Sequence, residues 1–146
     1  TALLDALGGA IHHIANVHKY ARPEDIPEKT LFIITTDGME NSSRRYTYGR
    51  VKDMVEHEKE KYGWEFLFLG ANIDAIDVAG RFGIGADRAL NYECDSIGTA
   101  LNYQVLSETI SAVRRSESRA DMDAAIFCCS APIREDYARR HRGGKA

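Results

Sequence analysis

Leu31-Phe32-Ile33-Ile34-Thr35-Thr36 is a short, continuous apolar run rich in β-branched residues, and it stops at Asp37-Gly38. A run that is apolar at successive positions predicts a strand covered on both faces, as in a parallel sheet. Glu65-Phe66-Leu67-Phe68-Leu69-Gly70 reads the same way, and a weaker third strand lies at Ala89 to Tyr92. Between the runs the period changes. Val51, Met54, Val55 and Tyr62 fall on the inner side of a helix over 47–62, which Gly63 ends as a C-cap glycine would. A shorter helix runs from Ile73 to Phe82, closed by Gly83, and a longer one from Ile97 to about Arg115.

Upstream, Leu3, Leu7, Ala10, Ile14 and Val17 recur at spacings of three and four, with Leu4 and Ile11 widening the stripe. They predict a first helix, capped by the Thr1 hydroxyl and fading near Tyr20 before Pro23 and Pro27. Gly8 and Gly9 weaken it by about 1 kcal/mol each relative to Ala, and close packing against the sheet is one reason for them to stand there. The order α-β-α-β-α-β-α predicts an α/β fold, a Rossmann-like parallel sheet with right-handed crossovers and helices on both faces. After Ser116 the pattern blurs. Residues 121–129 fit a short helix or a strand, Pro132 interrupts them, and the end from Ala138 reads as a frayed tail. The expected division is a domain over 1–115 and a partly disordered C-terminal extension over 116–146.

A chain of 146 residues, 44% hydrophobic and 28% charged, has the size and composition of one globular domain. It has no apolar stretch of membrane-spanning length, and its first residues lack a basic leader, so neither a membrane span nor a signal peptide is expected. The net charge of −3 conceals an asymmetry. Residues 114–146 hold eight Lys/Arg against five Asp/Glu, net +3, which leaves −6 for the rest. A nucleic-acid-binding domain would carry a basic body, so no nucleic acid is expected. Three cysteines, two of them adjacent at Cys128 and Cys129, make no disulfide framework and fit reduced thiols in the cytoplasm.

In open α/β sheets, ligands bind beyond the carboxyl ends of the strands. Asp37-Gly38, Ala71-Asn72-Ile73-Asp74 and Glu93-Cys94-Asp95 occupy that rim. Asp37 ends a strongly apolar strand, where an unpaired carboxylate is costly unless a cation or hydrogen-bond donors satisfy it. Gly38 lets the chain turn directly after it. Asp37 is therefore either a metal ligand or a cap of the loop that follows. His12, His13 and His18 lack the i, i+4 spacing of paired ligands, and His57 sits in the charged run Glu56-His57-Glu58-Lys59-Glu60-Lys61, which reads as a solvated helix face. Gly83-Ile84-Gly85 follows a helix and lacks the final glycine of a dinucleotide fingerprint. No Gly-x-Ser-x-Gly or Walker A loop occurs. Asp74 and Asp77 are more simply a polar helix start than an acid–base pair.

Three blocks in order resemble a von Willebrand factor A (vWA)-like domain of bacterial or phage type. They are Thr1-Ala2-Leu3-Leu4-Asp5-Ala6, the run from Leu31 through Thr36-Asp37-Gly38 to Asn41, and Trp64 to Ala75 followed by Ala79-Gly80-Arg81-Phe82-Gly83-Ile84. The resemblance covers roughly residues 1–110. It implies a protein-binding module whose intact form holds Mg²⁺ in a metal-ion-dependent adhesion site, with Thr1 and Asp37 matching two of its ligand positions. Gly38, Glu40, Asn41, Asn72 and Asp74 then form the rim that meets an unidentified protein partner. The site's Asp-x-Ser-x-Ser element is not among these residues, which implies a domain lacking its first strand. Two oxygens and one negative charge hold an octahedral ion weakly. The alternative is a metal-dependent α/β hydrolase or phosphotransferase using Asp37. In the family the strand corresponding to Leu31–Thr36 has the first strand beside it, so here its edge is expected to be exposed and to recruit a second copy of the chain. Failing that, residues 124–129 would fold back as the missing strand.

Overall fold

The computed structural model describes residues 2–40 and 42–142. Strands β1 (Leu31–Thr36), β2 (Glu65–Gly70) and β3 (Ala89–Asn91) form a parallel sheet in that order, with Leu31 opposite Glu65, Thr36 opposite Gly70 and Phe68 opposite Ala89. The fold is the expected α/β class. β2 is central and all six of its residues are buried, as its unbroken apolar run requires. β1 is an edge of this sheet, with Leu31, Phe32 and Ile33 half-buried and Thr35 exposed.

Side-chain alternation divides the core. Phe66 and Phe68 of β2 face helices α1 (Leu3–Tyr20), α2 (Tyr48–Tyr62) and α3 (Ala75–Arg81), packing with Leu7, Ile11, Val55 and Val78. Leu67 and Leu69 face the other way, against Val105 and Val113 of α4 (Ser96–Arg115) and Ile126 and Ile133 of α5 (Arg119–Arg142). Thr47 caps α2 by accepting from the Arg50 N–H, and Gly63 ends it in the left-handed region at φ 68°. Gly8 meets the Tyr46 ring instead of the sheet. A Cβ there would stand 2.5 Å from that ring, whereas Gly9 has open space.

Helix α5 revises the reading of the C-terminal segment. Residues 121–142 continue one helix through Pro132, so 124–129 do not supply a strand. Met122, Ile126 and Ile133 recur at helical spacing and bury against the second face of the sheet. Near the proline, the Phe127 carbonyl accepts from Ser130 Oγ at 3.1 Å and from Arg134 Nη2 at 2.6 Å. Ion pairs tie both ends of α5 down. Buried Arg88 pairs with Glu65 and Asp123, and Arg119 lies 3.1 Å from Glu65. At the far end, Arg140 pairs with Asp95, and a hydrogen bond joins the His141 ring to Glu93.

Candidate functional site

Three loops leave the carboxyl ends of the strands and form the expected rim. Asp37, at the end of β1, is exposed, and its carboxylate has no hydrogen bond or ion pair among the described residues. Its backbone carbonyl accepts from Asn72 Nδ2 at 3.2 Å, which locks the loop after β1 to the loop after β2. Asn72 has φ 60°, the one positive-φ residue other than glycine among the described residues. Asparagine tolerates that region better than most side chains do. Thr36 Oγ1 accepts from the Gly38 N–H at 3.4 Å and donates to the Gly38 carbonyl at 3.1 Å. Gly38 itself does not take a left-handed backbone, so the turn does not require a glycine there.

The other rim acids are occupied. Glu40 accepts from the backbone N–H groups of Leu3, Leu4, Ser42 and Ser43, so its carboxylate caps the start of α1, where Ala2 at the cap position has no side-chain acceptor. Partial burial works against its charged form, but the Ser43, Leu4 and Leu3 donors outweigh that and hold its pKa below 4.5. Asp5 answers from α1. It accepts from the Arg44, Arg45 and Tyr46 N–H groups at 2.9 Å each, and the Arg44 bond leads in pulling its pKa below 3.8. The Asp5 N–H in turn donates to Ser43 Oγ at 3.0 Å. Asp74 caps α3 through the Asp77 N–H at 3.2 Å, and Asp95 caps α4 through the Gly98 N–H at 2.7 Å.

Of the residues singled out in the sequence, the structure therefore brings Asp37, Gly38 and Asn72 together and assigns Glu40 and Asp74 to helix ends. Thr1 and Asn41 lie outside the described residues, and with Thr1 so does the expected hydroxyl cap; the described cap position of α1 is Ala2. Two further residues join Asp37. Tyr92 is buried, and its phenol is raised above 10.0, first by that burial and then by Cys94 and Asp37 nearby. Cys94 itself is exposed. The sequence marked 93–95 as rim but had no signal for Tyr92, which reads there as the last apolar residue of a strand. Magnesium asks for several oxygen donors in octahedral array. Here Asp37 is one carboxylate beside a phenol and a thiol, and no group of three or more His, Cys, Asp or Glu among the described residues is arranged to hold a metal ion. These donors do not fit a resident magnesium ion.

Comparison with family models, with curated proteins and with solved structures finds no match to this chain.

Proposed function

We propose that this chain is a protein-binding module of the vWA-like kind, which docks its partner on the rim formed by Asp37, Gly38 and Asn72. The observation that carries this reading is the Asn72–Asp37 lock. A residue in a sparsely populated backbone region fixes the carbonyl of Asp37 while the carboxylate stays exposed and unpaired. An exposed, unpaired carboxylate on a backbone held in this way is suited to a basic side chain of a partner. Exposed Met39 beside it adds apolar contact. The reading needs no resident metal. The free thiols of Cys94, Cys128 and Cys129 fit a cytoplasmic setting. No helix among the described residues is long and apolar enough to cross a membrane.

A photo-crosslinking residue placed at Met39 in the native host tests the reading. A discrete adduct that disappears in Asp37→Ala and persists in the remote control Glu60→Ala supports it; adducts indifferent to Asp37 refute it. The edge of β1 is proposed as a second contact, between copies of the chain. Thr35 is exposed, so Thr35→Lys adds a charge to that edge at little packing cost. Light scattering should show an assembly that becomes monomeric in this variant, and a wild-type monomer at high concentration would remove the proposal.

A further inference from the structure

At the opposite end of the sheet, a cavity of about 530 Å³ opens between the last turns of α1 and α2 and the loop that precedes β1. Trp64, immediately before β2, forms part of its wall, stacked on Phe32 at 5.5 Å between ring centroids and met edge-on by His18. Tyr62, Ile26 and Pro27 add apolar surface. Glu58 also lines the cavity, and it is the anomaly of this region. Its run reads as a solvated helix face, yet the residue is 7% exposed, and its carboxylate has no hydrogen bond or ion pair among the described residues. Other rows of charge on α2 find partners: Lys52 pairs with Glu56, and Lys59 donates to the Gly83 carbonyl.

We propose that this cavity is a binding site for a small organic ammonium ion carrying an aromatic-sized apolar body. Three features converge on a cation. The Glu58 carboxylate opens onto the cavity and is unpaired among the described residues, so a charged donor that enters there meets a free acceptor. The lining holds two carboxylates, Glu58 and Glu28, against one ammonium, Lys19, whose Nζ lies over the Tyr20 ring, together with the imidazoles of His18 and His57. Both bordering helices present their carboxyl ends, where the helix dipole is negative. The apolar wall accounts for the rest of the ligand. Trp64 and Tyr62, with Ile26 and Pro27, offer apolar surface to a hydrophobic body. The volume falls within the range of small-molecule pockets. This site is at the amino ends of the strands and is independent of the rim.

The chain has one tryptophan, Trp64, so intrinsic fluorescence reports on the cavity wall. Benzylamine is the probe, with benzyl alcohol as its neutral counterpart. Benzylamine should change Trp64 emission saturably, with a Kd of about 1 mM or tighter, and benzyl alcohol should bind about tenfold more weakly or worse. Glu58→Gln should weaken benzylamine by about tenfold or more while leaving benzyl alcohol unchanged. Circular dichroism checks that the variant folds; if it does not, the amine-to-alcohol ratio on the unaltered chain decides. Equal binding of amine and alcohol, an indifferent Glu58→Gln, or no saturation with benzylamine overturns the proposal.

Discussion

At the carboxyl ends of the strands, Glu40 accepts from four backbone N–H groups and Asp5 from three, while at the amino ends Glu58 accepts from none. The first two bind the loop after β1 to the start of α1, a crossing of strap and helix in which each element satisfies the other's orphan donors. Glu58 stabilises nothing visible. Acidic residues in the region where α/β sheets place their ligands are thus largely consumed by the fold, and the least explained carboxylate stands at the other end. A residue's position in a fold tells where to look; its hydrogen bonds tell whether it is free to act.

The largest effect should come from the rim's closest backbone approach. A Cβ on Gly98 would stand 1.9 Å from the Glu93 carbonyl oxygen, and backbone cannot yield as a side chain can. Gly98→Ala should therefore destabilise the chain by about 3 kcal/mol or more in urea unfolding. Gly80→Ala, in α3 with open space around it, should instead be neutral or stabilise by up to about 1 kcal/mol. Similar losses at both glycines would mean that the rim is no more tightly built than the surface.

Next is the strap. Glu40→Ala removes the acceptor of two of the three first-turn N–H groups of α1 that side chains satisfy and should cost about 1–2 kcal/mol. Asp5→Asn should lower the melting temperature and, with Glu40→Ala, reshape the acid limb. Both carboxyls are held below their ordinary values of 3.8 and 4.5, so the stability they contribute is present above those values and lost as pH falls through the folded ones. Each variant should flatten that loss. Acid unfolding unchanged by both substitutions would show that the strap does not hold the native state.

Glu58→Met should act with the opposite sign, raising stability by about 1 kcal/mol or less, because it takes an unpaired carboxylate away from the negative end of α2 and adds apolar contact at similar helix propensity. A loss comparable to that of Glu40→Ala would erase the difference between the two ends of the sheet.

How far these features could be read from sequence depends on their range. β1 and β2 were legible to the residue because buried parallel strands need unbroken apolar runs, and Gly63 announced the end of α2. α5 was not, since its helical stripe of Met122, Ile126 and Ile133 is sparse and contains Pro132, and its buried face is completed by distant β2 and β3. Asp37 and Asn72 were found from strand ends. The capping role of Glu40 was not, because its partners Leu3 and Leu4 lie 37 and 36 positions away, and no local pattern encodes such a contact. Glu58 was hidden by its neighbours: five charged or ionisable residues around it follow the solvated pattern that it breaks.

The smallest expected effect tests whether Asp37 is the free acid of the rim. The Tyr92 phenol is raised above 10.0, with burial as the first cause and the nearby Cys94 and Asp37 adding to it. An unfolded chain then releases this proton before the folded one does, so stability should be intact below pH 10.0 and decline as pH rises from there through the folded value. Tyr92→Phe should remove that part of the alkaline decline. The ultraviolet titration of Tyr92, taken as the difference between the chain and its Tyr92→Phe variant, isolates one phenol among the seven tyrosines. Asp37→Asn should bring that titration part of the way back toward the ordinary value, because burial persists while one negative neighbour is gone. If the phenol does not move, the Asp37 carboxylate is not directed toward Tyr92 over the rim, and a docking surface centred on it loses its geometric support. A shift equal to the whole displacement would be equally instructive: the phenol would then be governed by charge instead of burial, and Asp37 would be held closer to it than an exposed, unpaired side chain should be.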